Sequence, residues 1–222
     1  MLVNSNGQLK DIHLVDGLAI RTDEADALSL SDVWRDQQDW TPHPAGPPSF
    51  GYSPGTRWLR FSVENRGATA QPLNLAINNE YIGRLGVYGV RSPAGSTPSA
   101  ASRDRIAPAF EFASGRELPF YERPLPNRKH AFPIELEANS RYEIFISAWS
   151  GASLSLPILL LDPAEYNERR GRENLRMGLY GGLFVLLLVA NLASFVALGA
   201  RLFLLYVVYL LTNFLYQFTL QG

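Results

Sequence analysis

A chain of 222 residues has room for one ordinary domain and an appendage, since most domains run to roughly 100–200 residues. Its net charge of −1 excludes the clustered basic surface that nucleic acid demands, and the absence of cysteine excludes a disulfide framework, thiol catalysis and thiolate metal sites. A near-zero mean hydropathy averages two unlike parts, a polar body and a greasy tail.

Residues 1–7 carry neither the basic leader nor the apolar segment of about 7–15 residues that marks a secretory signal, and they are expected to be a disordered start. Residues 8–163 read as sheet. Before the first clear strand, Ala27-Leu-Ser-Leu-Ser-Asp-Val-Trp34 suits a short helical turn that lays Leu30 and Trp34 over one end of the fold. Residues 41–48 hold four prolines and are expected to be a loop. Alternation then sets in: Leu59, Phe61 and Val63 share one face, and Trp58, Arg60, Ser62 and Glu64 the other. Leu73, Leu75 and Ile77 repeat the pattern, as do His130, Phe132, Ile134 and Leu136. Residues 92–103, rich in Ser, Ala, Pro and Gly, read as a mobile loop. Residues 141–149 give the best strand, with Tyr142, Ile144, Ile146 and Ala148 on one face and Phe145, Ser147 and Trp149 on the other. Leu154, Leu156, Ile158 and Leu160 close the series, with Pro157 signalling an edge or a bulge. Turn signals such as Asn65-Arg-Gly67 and Asn78-Asn79 separate the runs. Short strands at this spacing predict a mainly β, antiparallel β-sandwich, and the long connections favour a Greek-key or jelly-roll path over a meander.

After Pro163 the pattern becomes helical. Residues 164–177 read as a solvated connector helix in which Glu168 and Glu173 are placed to bridge neighbouring arginines. Residues 178–222 read as two transmembrane helices of a truncated bundle, because the stretches 177–200 and 202–222 contain no charge and each reaches the roughly 20 apolar residues that cross a bilayer. Membrane lipid is therefore an expected partner. Gly178 and Gly182, continued by Ala193 and Ala197, are spaced for close helix approach, in the same bundle or in a homodimer. Asn191 and Asn213, at membrane depth, are expected to find partners within protein. Arg169, Arg170, Arg172 and Arg176 before the first span outnumber Arg201 in the hairpin, which by the positive-inside rule alone would put the body in the cytoplasm. A salt-bridged connector, and the insensitivity of large exported domains to charge, favour the outside instead.

Motifs of catalysis are missing, with no phosphate loop, no nucleophile elbow and no paired histidines of the zinc type. No cofactor is expected, and the fragment is not read as an enzyme. His13 and His43 are scattered, and His130 alternates with core residues, so it is expected to be structural. The non-core faces of two strands offer Trp58, Arg60, Phe145 and Trp149, which suit a sugar or a small anionic ligand. Tyr81, Arg84 and Tyr88 extend this set if their strand is adjacent, and Arg123 joins it unless it braces a loop. Packing under a loop or at a dimer contact is the competing explanation of these aromatics. Asn78, Asn79 and Glu80 could hold a hard cation such as calcium, but the pair of asparagines is equally good turn chemistry.

The order of these features resembles a known family, the bacterial seven-transmembrane receptors with diverse intracellular signalling modules, and in particular their extracellular domain of the second type. The likeness is carried by Trp58-Leu-Arg-Phe61 followed by Asn65, by the strand from Leu73 to Ile77, by Leu118-Pro-Phe-Tyr-Glu-Arg123, by the strands between Ile144 and Leu160, and by Leu179-Tyr-Gly-Gly182, Asn191 and the apolar run from Arg201 to Tyr209. The resemblance implies a periplasmic jelly-roll domain similar to carbohydrate-binding modules on a bacterial inner-membrane protein. It also implies seven spans and a cytoplasmic histidine kinase or diguanylate cyclase, of which five spans and the output are absent from this sequence. The expected function is ligand sensing for such a receptor. The alternatives are a membrane-anchored carbohydrate-binding or adhesion module without signalling and, least favoured, an anchored hydrolase.

Overall fold

The structure, a computed structural model, describes residues 3–4, 12–36, 38–44, 46–93, 107–125 and 127–221. The chain divides into two compact units, Met1–Pro163 and Ala164–Gly222.

The first unit is built from β1 (Val3–Asn4), β2 (Ile12–Asp23), α1 (Leu30–Arg35), β3 (Thr41–Pro42), β4 (Ser49–Gly51), β5 (Thr56–Asn65), β6 (Gln71–Ile77), β7 (Arg84–Pro93), β8 (Phe110–Ser114), β9 (His130–Leu136), β10 (Ser140–Trp149), β11 (Leu154–Ser155) and β12 (Ile158–Leu161). A six-stranded sheet in the order β3-β2-β5-β10-β7-β8 is antiparallel throughout, and a four-stranded sheet runs β1-β12-β6-β9. The path moves from one of these sheets to the other after β1, β5, β6, β8 and β9, and again from β10 by way of β11 to β12, so the fold is a sandwich with crossing connections and no meander.

Period-two alternation explains the core. Leu59, Phe61 and Val63 of β5 and Tyr142, Ile144 and Ile146 of β10 face Leu73, Leu75 and Ile77 of β6 and Phe132, Ile134 and Leu136 of β9, all buried in one cluster. Leu154, Leu156, Ile158 and Leu160 also join it, and Pro157 falls between β11 and β12 where the ladder changes partner. At one end Asn65, fully buried, donates to the carbonyls of Thr69, Leu136 and Glu137 at 2.9, 2.9 and 3.0 Å, and its Oδ1 accepts from Gly67 N at 2.9 Å. One amide thus ties the β5–β6 turn to the β9–β10 turn. His130 is buried on the inner face and shares a 2.8 Å hydrogen bond through Nδ1 with Ser114, while its Nε2 meets no partner among the described residues.

Several expectations change. The supposed disordered start supplies β1, which pairs in parallel with β12. Within the proline-rich segment, Thr41 and Pro42 form β3, paired to Ile20 and Ala19; an outermost strand tolerates a proline because one side of its ladder is unused. The turn expected around residues 27–34 is α1, capped by Ser29 in a reciprocal capping box with Asp32. Instead of closing an end of the sandwich, α1 lies on the outer face of the six-stranded sheet, where Val33 and Trp34 pack with Trp58, Val90 and Phe145. The expected mobile loop at 92–103 begins inside β7, and its residues from 94 onward lie outside the described residues.

The second unit consists of α2 (Pro163–Leu198) and α3 (Arg201–Gln221). Pro163 sits at the start of α2, where its missing N–H costs nothing. Glu165–Arg169 and Glu168–Arg172 bridges at i,i+4, of 2.7 and 3.4 Å, support the polar first turns. α2 ends at Gly199, whose φ of +65° and bond to Phe195 O form a left-handed cap. By length and composition α2 can cross a membrane, and α3 is apolar over Arg201–Tyr216. Phe184 of α2 stacks on Phe214 of α3 with centroids 4.5 Å apart. The Gly178, Gly182, Ala193 and Ala197 positions are exposed, so the small-residue stripe is not the face α3 uses. Asn191 and Asn213 donate to the carbonyls of Leu187 and Tyr209 four residues back, at 2.8 and 3.0 Å, and are satisfied within their own helices.

Candidate functional site

The outer face of the six-stranded sheet is built in rows by strand register. Ser147 of β10 lies opposite Gly86 of β7, and Gly86 opposite Ala113 of β8. These three small residues make a shallow floor across three strands. On one side stands the row Trp149 and Arg84, and on the other Tyr88 and Glu111. Trp58, opposite Ser147 on β5, closes the third side, and the loop ahead of α1 contributes Asp26, Leu28 and Ser29 to the fourth. The result is a cleft of about 870 Å³, within the size range of small-molecule sites.

Gly86 keeps the floor open. A Cβ there would come within 2.6 Å of Ser147 Oγ and 2.7 Å of the Tyr88 hydroxyl oxygen. Gly83 has a related role, since a Cβ would strike the Trp149 ring at 2.7 Å. A glycine inside a strand pattern marks such close approach.

The walls are polar and charged. Arg84 lies over the Trp149 ring, 4.9 Å from its centroid, donates to Asp26 and pairs with Glu117 at 3.7 Å. The hydroxyl of Thr56, and then Arg84, hold the Asp26 carboxyl below its usual range. Asp23 secures the same loop by accepting from Ala27 N and Leu28 N at 3.2 and 2.8 Å. Tyr88 stacks on Trp58 at 6.0 Å, and its phenol is pushed up, first by burial and then by the Glu111 charge. Trp58 is only 3% exposed, and its Nε1 meets no acceptor among the described residues. In formal charge the lining sets Asp26, Glu111 and Glu117 against Arg84 alone among the described residues.

Of the residues expected to bind a ligand, Trp58, Arg84, Tyr88 and Trp149 come together here, and β7 is adjacent to β10. The others do not line the cleft. Phe145 is fully buried beneath Trp34 and Trp40, with edge contacts of 5.8 and 5.9 Å, so it is a core residue that no ligand reaches. Arg60 is engaged by Glu143 at 3.6 Å and by the Trp40 ring at 4.6 Å. Tyr81 is exposed beside Arg116, and Arg123 braces the turn around Phe120 and donates to Asn127 O at 3.3 Å. Arg60 and Arg84 are both paired with carboxylates, which a small anion would have to displace. Trp58 and Trp149 are edges of the cleft and not a bare stacking platform, because Tyr88 and Arg84 cover their rings.

Asp26, Glu111, Glu117 and the floor of Ser147, Gly86 and Ala113 were not anticipated. Gly86, alone in a strand pattern, was the readable signal for the floor. Asn79 serves its turn: Oδ1 accepts from Tyr81 N at 2.9 Å and Nδ2 donates to Ser155 O at 2.8 Å. Among the described residues no three His, Asp or Glu side chains gather where a metal ion could be held.

Compared with known proteins, residues 16–162 match the family described as 7TMR-DISM extracellular 2. No curated protein matches the chain.

Proposed function

This chain belongs to the 7TMR-DISM extracellular 2 family, and on that premise we propose that it senses a small neutral or weakly charged polar ligand, such as a carbohydrate, in the cleft on the outer sheet face. At the coarser level it is the sensor region of a membrane receptor, an extracellular domain followed by a helix that can cross a membrane. In the finer reading the β unit faces the periplasm of a bacterium, α2 and α3 are the first two spans in its inner membrane, and binding is passed on to a cytoplasmic kinase or cyclase. The single observation that carries the ligand site is the open floor of Ser147, Gly86 and Ala113 between aromatic and charged walls. Side-chain hydroxyls and carboxylates around apolar edges suit a polyol, whose hydroxyls are donors and acceptors and whose ring faces are apolar.

Coupling follows from how the cleft is closed. Its fourth side is a loop held by Asp23, Asp26 and the Ser29 cap, so an occupant that touches this loop binds the closed and loosened arrangements with different strength and shifts their balance.

Intrinsic tryptophan fluorescence of the full chain in uncharged detergent tests the site, because Trp58 and Trp149 line it. A panel of sugars should give a saturable change that Trp149→Ala abolishes and Gly86→Ala weakens, with the circular dichroism of the sheet retained. Saturable binding that neither substitution alters would remove the cleft from consideration.

A further inference from the structure

We infer that the cleft selects a positively charged sugar, a ring bearing an ammonium group among hydroxyls, over neutral and acidic sugars. The inference rests on the cleft being the ligand site and adds the ligand's charge to that reading.

Two independent features combine. The first is the uneven charge of the lining. Arg84, its one cation among the described residues, is engaged by both Asp26 and Glu117 and lies over Trp149. An entering anion would have to displace those carboxylates and would remain beside them. Glu111 stands on the opposite wall, next to Tyr88, and pairs with no basic side chain among the described residues. Its exposed carboxylate is placed to accept from an ammonium group above the small floor. The second feature is Trp58, whose buried Nε1 has no acceptor among the described residues although its ring lines the cleft. A buried donor left unmatched is costly, and an acceptor brought by a ligand relieves that cost. A simple alkylammonium or a metal ion offers Trp58 nothing, and a neutral sugar offers Glu111 only an uncharged donor. A hydroxylated ring with an ammonium group satisfies both.

Four probes of nearly one shape separate the possibilities: glucosamine, N-acetylglucosamine, glucose and glucuronate. They are titrated into the full chain in uncharged detergent, at a pH where the amine is protonated. A charge-assisted hydrogen bond is about twice as strong as a neutral one, so glucosamine should bind about tenfold more tightly than glucose. N-acetylglucosamine should fall with glucose and glucuronate should be weakest. Added salt should narrow the spread, and Glu111→Gln should bring the glucosamine-to-glucose ratio close to one, with the thermal transition confirming that the variant is folded. Equal binding of all four, tighter binding of glucuronate, or a preference that survives both Glu111→Gln and the Glu111→Gln/Glu117→Gln pair would overturn the selectivity and leave the cleft standing as a sugar site. No binding of any probe would overturn both.

Discussion

The two faces of the six-stranded sheet are made by the same strands in the same register, yet they have opposite characters. The inner face is a continuous apolar layer closed by a second sheet. The outer face is divided: toward β2 and β5 it is roofed by α1 and Trp40, and toward β7 and β8 it opens into the cleft. A sheet can thus carry a rigid core and a binding surface at once, because side-chain alternation lets each face be written independently.

The largest test of that contrast is a pair of truncations. Phe61→Ala on the inner face should lower stability by about 4 kcal/mol, and Phe145→Ala beneath α1 by about 3 kcal/mol, read from chemical denaturation followed by tryptophan fluorescence. A loss below about 1 kcal/mol for Phe145→Ala would mean that α1 only rests on the sheet and forms no second core.

The next test is acid. Burial first, and the Arg123 charge second, push His130 down to about 4 from an ordinary 6.5. Between those values the unfolded chain takes up a proton that the folded chain refuses. Stability is therefore complete above about pH 6.5, declines as pH falls, and levels off below about pH 4, by up to ~3 kcal/mol. His130→Gln should flatten this slope relative to the parent chain; an unchanged slope would show that His130 is not the group responsible.

Asn65→Ala, which strands three carbonyls at the edge of the inner core, should cost about 2 kcal/mol. Ser29→Ala removes the cap of α1 and should cost about 1 kcal/mol. Since the capped loop is also a wall of the cleft, Ser29→Ala should weaken sugar binding as well, whereas Asn65→Ala, at the far edge of the core, should leave the affinity of the folded fraction unchanged.

The contrast also explains what could be read in advance. Leu59, Phe61, Val63 and the other inner residues are apolar at every second position, and a strand with one dry face has to be written that way. Trp149 and Phe145 look identical in sequence, two aromatics on the outer face of β10. One lines the cleft and the other lies under a helix because α1, distant from both in the chain, covers only part of the sheet. Periodicity reports which face a residue is on, but not what covers that face. The carboxylates of the cleft were illegible for the same reason: Asp26 comes from one segment and Glu111 and Glu117 from another far along the chain, brought together by register and by the Arg84 guanidinium.

The unbroken run of α2 over 36 residues constrains any traffic between water and lipid. At about 1.5 Å per residue it is a rod of about 54 Å, longer than the roughly 30 Å of hydrocarbon in a bilayer. Within it no proline follows Pro163, and the helix runs on through Gly178, Gly181 and Gly182 between the part rich in arginine and the greasy part. With no break in its hydrogen-bonded ladder, α2 ties its arginine-rich turns and its apolar turns into one element.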